Sequence, residues 1–167
     1  MRLPEDINNL AISIFWHGSG GAKSREWESR VKKAATGNLS LVWPRFAVWL
    51  LDVELKKSRA PVIRLVLGLH KRAIDGGTVS NSEWDAARRK CKNAIDRVTG
   101  CNSKTFAFAL VAFGLCGPTA HYNTPTYACT ASVWAAGEVP NSTEAIPIEK
   151  AFHQRMVDKF LELLSTP

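Results

Sequence analysis

The chain has 167 residues, of which 46% are hydrophobic and 22% charged, and its 22 Lys and Arg against 15 Asp and Glu give a net charge of +7. That length suits one domain, 1–167, with a sizeable core, and that composition excludes a disordered chain. Four cysteines, Cys91, Cys101, Cys116 and Cys129, contain no C-x-x-C pair, which excludes a zinc knuckle and a dithiol redox motif.

The first segment, MRLPEDINNLAISIFW, lacks the form of a secretory signal, because Glu5 and Asp6 follow the single Arg2 and no small-residue cleavage site follows a long apolar run. A cytoplasmic protein with reduced, mostly buried cysteines is expected. Pro4 suits the first turn of a helix running to about Phe15. HGSGG at 17–21 reads as a flexible break, and Ser24 to Ala35 as a short charged helix ending near Gly37. Ser40 is the expected cap of the next helix, with Pro44 in its first turn and Phe46, Trp49, Leu50 and Val53 on its apolar face. Pro61 opens a helix whose apolar residues are Val62, Ile63, Val66, Leu69, Ala73 and Ile74, and Gly76-Gly77 ends it. Ser80, Asn81 and Ser82 suit a cap ahead of Glu83 and Asp85, and Trp84, Ala87, Cys91, Ala94, Ile95 and Val98 form the buried stripe behind it.

Residues 105–137 contain no Lys, Arg, Asp or Glu. A spanning helix needs about 20 consecutive apolar residues, whereas the run from Phe106 to Cys116 stops at Gly117-Pro118. Two short helices joined by a turn around HYNTPT are expected, no membrane span is expected, and both helices read as core because both are apolar nearly all round. On that reading a carboxylate at Phe113 would unfold the chain. Pro147 opens the last helix, with Ile148, Phe152, Met156, Val157, Phe160, Leu163 and Leu164 inward. No segment alternates with period two, so the fold class is all-α: one compact domain of about seven or eight helices around a buried, uncharged helical hairpin.

Charge is uneven: net +4 over 1–61, +5 over 62–104 and −2 over 105–167. Arg88, Arg89 and Lys92 share the helix face opposite Trp84 and Cys91, and form either a solvated face or a contact for phosphates or an acidic protein. Trp16, Trp27 and Trp43 fall near helix ends; each suits the core, and an exposed one would be an interface anchor. These six are the candidate partner-binding residues.

Catalytic constellations are thin. His17 sits in HGSGG, which is neither a phosphate-binding loop nor a nucleophile elbow. His70 lies at a helix end in a structural position. His121 lies between Cys116 and Cys129 at a spacing, C-x4-H-x7-C, that matches no common metal site. His153 is expected in surface pairing with Glu149. No catalytic residue, cofactor or metal is assigned, and the chain reads as a non-enzyme.

LHKRAIDGGTVSNSEWDAARRKCKNAIDRV at 69–98 and MVDKFLELL at 156–164, with W-A-A at 134–136, resemble a pattern of small Ala- and Trp-rich helical proteins of bacteria and their phages. Some of these are similar to immunity proteins of polymorphic toxin systems. In the middle, Phe106, Phe108, Phe113, Cys116 and Pro118 replace the Ala run of that pattern. The resemblance implies a binding role without catalytic residues. The expected function is therefore a non-catalytic protein-binding factor, such as a phage-encoded inhibitor of a host or defence complex or a toxin-immunity protein, with another protein, an acidic one included, as partner. The alternative is nucleic-acid binding through the basic face of 62–104.

Overall fold

The structure is a computed structural model that describes residues 3–19, 24–55, 60–98, 103–119 and 121–167, with side chains throughout except at 16–19, 24 and 25. The fold is all-helical, with no strand among the described residues. The helices are α1 (Glu5–Ser19), α2 (Ser24–Ala34), α3 (Val42–Trp49), α4 (Pro61–Ile74), α5 (Asn81–Asp96), α6 (Lys104–Gly114), α7 (Thr124–Ala135) and α8 (Ala145–Ser165). None of them is long and apolar enough to cross a membrane.

Two helices organise the packing. Helix α8 lies against α1, α2, α3 and α7, and α6 lies against α4, α5 and α7. The α8 stripe of Phe152, Met156, Phe160 and Leu164 is fully buried because its residues recur every four positions on one face. Each such side chain contributes about 1.5–3 kcal/mol by leaving water. Phe15 joins this core and is covered from outside by α2, where Trp27 stacks on it with centroids 5.7 Å apart.

Local sequence explains most helix ends. Ser80 and Glu83 form a reciprocal capping box at α5. Pro61 occupies the first turn of α4, and Gly76 at φ +81° turns the chain away after it. Ser103 caps α6 by accepting from the Phe106 N–H at 3.2 Å.

Four expectations change. Helix α1 continues through Ser19, so the first part of HGSGG is helical, while Gly20 and Gly21 lie outside the described residues. The cap ahead of α3 is Asn38, whose side chain accepts from the Ser40 N–H at 3.2 Å, because a tight 3₁₀ turn, Leu39–Leu41, precedes the α-helix. After Trp49 the helix widens into a π turn, Leu50–Glu54, closed by the Leu55 N–H to Leu50 carbonyl bond at 3.1 Å. The wider turn rotates the register, so Leu51 and Leu55 become buried and Val53 is left exposed.

The fourth change concerns the uncharged hairpin. It forms as α6 and α7, the most extensively packed helix pair, and Gly114 lets them close: a Cβ there would lie 2.9 Å from Thr124 Oγ1. Ala107, Phe108, Val111, Ala112, Ala128, Cys129 and Ala131 face the core, but Phe106, Leu110, Phe113, Tyr127 and Trp134 are only half-buried. The hairpin is therefore core on one side only. An all-apolar pattern carries no polar face to reveal which side meets solvent, and Phe113 belongs to the outer one.

Candidate functional site

A helix leaves its last four carbonyls without intrahelical partners. From the last residue of α6 into the turn after it, four successive carbonyls, Gly114 to Gly117, are each met by a side chain from a different helix. Thr124 Oγ1 of α7 donates to Gly114 at 2.8 Å, His70 Nε2 of α4 to Leu115 at 2.7 Å, Arg88 Nη2 of α5 to Cys116 at 2.8 Å, and Trp43 Nε1 of α3 to Gly117 at 3.0 Å. Gly117 takes φ +137°, a conformation that only glycine adopts without strain. Buried polar groups need such partners, and no buried side-chain N or O among the described residues lacks one.

This cluster reassigns two candidate partner-binding residues. Trp43 is 3% exposed and packs edge-on against His70, so it is spent on the core and offers no surface anchor. Arg88 is half-exposed but divides its guanidinium between the Cys116 carbonyl and Asp85, 3.6 Å away. Arg89 and Lys92 remain exposed on α5 with Lys90, as does Arg97 just past its end, and none of the four has an ion-pair partner among the described residues. Trp27 is half-buried and walls an open groove with Leu3, Asn8, Asn9 and Lys32. The Trp16 side chain lies outside the described residues.

The histidines are separated. His70 is 1% exposed between Trp43 and Trp84, and burial holds its imidazole down to about 4. His121 Nδ1 accepts from the Asn123 N–H at 3.2 Å in the α6–α7 turn. His153 bonds the Ile14 carbonyl at 2.6 Å and so ties α8 to α1, rather than pairing with Glu149. Its ring reaches inward to a backbone acceptor that no local spacing could reveal. The His17 side chain and Cys101 lie outside the described residues. Cys91 and Cys116 bring their sulfurs to 3.7 Å, both buried, and Cys129 is buried with its thiol pushed up to about 12. Among the described residues no three His, Cys, Asp or Glu converge where a metal ion could be held.

The sequence reading missed the outer face of the hairpin. Phe106, Leu110 and Phe113 recur at i, i+4 and i+7 on α6, and Tyr127, Thr130 and Trp134 at i, i+3 and i+7 on α7, so two half-buried rows run side by side. Between them lies a groove of about 170 Å³ lined by Phe106, Leu110, Tyr127, Trp134, Asn141 and Glu149, among others. Apolar side chains are also exposed nearby in the chain: Tyr122 at 75% in the α6–α7 turn, Val139 at 60% in the α7–α8 connection, and Ile146 in the first turn of α8. The helical spacing of these rings was legible, but their exposure depends on what α8 and the 137–144 connection leave uncovered.

Comparison with known proteins finds no match to a family model, a curated protein or a solved structure.

Proposed function

We propose that the protein acts by binding another protein through the outer face of the α6–α7 hairpin, as an inhibitor of a host or defence complex or as an immunity factor. The observation that carries this reading is the groove of half-buried aromatic rings in a segment free of Lys, Arg, Asp and Glu. Interface cores are depleted of charge and rich in aromatic anchors, and rigid rings on packed helices bind at low entropic cost. Helix α5, which packs on α6, adds the exposed Arg89, Lys90 and Lys92, a field that would speed approach of an acidic surface. The resemblance of 69–98 and 156–164 to phage and immunity proteins also supports a binding role.

A second reading, nucleic-acid binding, is favoured by the same α5 cations, which have no ion-pair partner among the described residues. Yet α5 offers no exposed ring between them, as a single-strand binder needs. Two measurements separate the readings. A partner captured by the wild-type chain from its native host and lost with Leu110→Glu, at unchanged circular dichroism, supports the hairpin interface. Submicromolar polarisation binding to mixed DNA or RNA at physiological salt, abolished by Arg89→Glu/Lys92→Glu, overturns it in favour of nucleic acid.

A further inference from the structure

The α6–α7–α8 groove carries one charge among its described walls. Glu149, on the first turns of α8, lines it together with the rings of Phe106, Tyr127 and Trp134 and with Asn141. The Glu149 carboxylate is half-buried and has neither an ion pair nor a hydrogen bond among the described residues. Among the described residues no lysine or arginine lines the groove: Lys104 lies over the Phe108 ring at 5.8 Å instead, and Lys150 is exposed and outside it. An unpaired carboxylate presents negative potential to the groove, and the quadrupole of an aromatic ring adds to it where a cation meets the ring face. Both favour a cation, and neither favours an anion or a neutral apolar group. The volume, about 170 Å³, suits one long side chain rather than a peptide segment.

We infer that this groove is a receptor for a single lysine or arginine side chain presented by the partner protein. The alkyl stem lies along Leu110 and the rings, and the charged head meets Glu149. The inference rests on the proposed interface and narrows it: the partner places a cationic residue at the centre of its contact, whatever its overall charge. Asn141, at φ +67° in the turn before α8, adds an amide to the rim that can accept from the same head group.

The test uses the full chain and small probes. n-Butylammonium and n-butylguanidinium chloride are titrated while the Trp134 indole N–H resonance, assigned with Trp134→Phe, is followed by NMR. n-Butanol serves as the neutral control and sodium chloride as the ionic-strength control. The expected result is a saturable shift with an affinity on the order of millimolar for at least one cation. Butanol binds at least about fivefold more weakly, and Glu149→Gln weakens the cation by about fivefold at unchanged circular dichroism. Butanol binding as well as the cations, an unchanged affinity in Glu149→Gln, or no saturable shift each overturns the inference. Failure here leaves partner capture by the hairpin intact, whereas loss of that capture removes the interface and not the cation site, so the two readings fail separately.

Discussion

His70 Nε2 donates to the Leu115 carbonyl at 2.7 Å, joining the end of α4 to the end of α6 across 45 residues of chain. A carbonyl only accepts, so the ring carries a proton on Nε2, as either the neutral or the charged imidazole can, and burial is what keeps it neutral. Both flanking helix ends favour a cation there, but burial between Trp43 and Trp84 outweighs them and holds the imidazole down to about 4, with the Leu115 bond as a smaller opposing pull.

The sign of the resulting pH dependence follows from linkage. The folded ring titrates near 4 and the unfolded one near 6.5, so between these values the unfolded chain binds the extra proton. Stability contributed by this site is complete above 6.5 and is lost as pH falls toward 4. Between pH 7 and pH 5 the loss is about 2 kcal/mol. His70→Gln keeps a donor near the same position and removes the titration, so its denaturant midpoints at the two pH values differ by less than those of the wild type. Equal slopes in the two proteins would contradict the buried neutral ring.

Trp43→Phe removes the donor to the Gly117 carbonyl and leaves a buried acceptor unpaired. A loss of about 1–3 kcal/mol is expected from the denaturant midpoint. A loss within 0.5 kcal/mol, about the range of an ordinary surface substitution, would mean that the α6 end is not held in this way.

The two faces of the hairpin respond differently to charge. Phe108 is 2% exposed, so Phe108→Asp places a lone carboxylate in the core at a cost of several kcal/mol, comparable with a total stability of about 5–15 kcal/mol, and unfolds the chain. Phe113→Asp lies on the outer face, beside the His121 ring at 6.1 Å, and leaves the chain folded. Thermal melts followed by circular dichroism distinguish the two; unfolding by both would put the whole hairpin in the core.

Cys91, Cys116 and Cys129 are buried thiols. Alkylation of all three by iodoacetamide is slow until denaturant is added, because burial withholds access, and at Cys129 it withholds the thiolate as well. Rapid native labelling at any of the three sites would contradict the packing of α5, α6 and α7.

Much of this architecture was legible because its signals are local. Pro61 and Gly76 bracket α4, Ser80 and Glu83 begin α5, and the Phe152, Met156, Phe160 stripe orients α8. What escaped depends on partners distant in sequence. The His70, Arg88 and Trp43 side chains read as a helix end, a basic face and a ring suited to the core or, if exposed, to an anchor, and their shared role appears only when α6 ends among them. The π turn after Trp49 has no Gly or Pro to announce it. The groove escaped for a different reason: in an all-apolar helix pair, composition gives the core face and the outer face the same appearance.

The central claim is that Phe106, Leu110 and Trp134 form a protein contact. Site-specific photo-crosslinking in the native host tests it most directly, with benzoylphenylalanine placed at Leu110, at Trp134 and at the exposed Arg64 of α4. The account predicts one discrete adduct with the same protein from positions 110 and 134 and none from 64. Adducts of equal yield from all three positions, or adducts with nucleic acid, would contradict it.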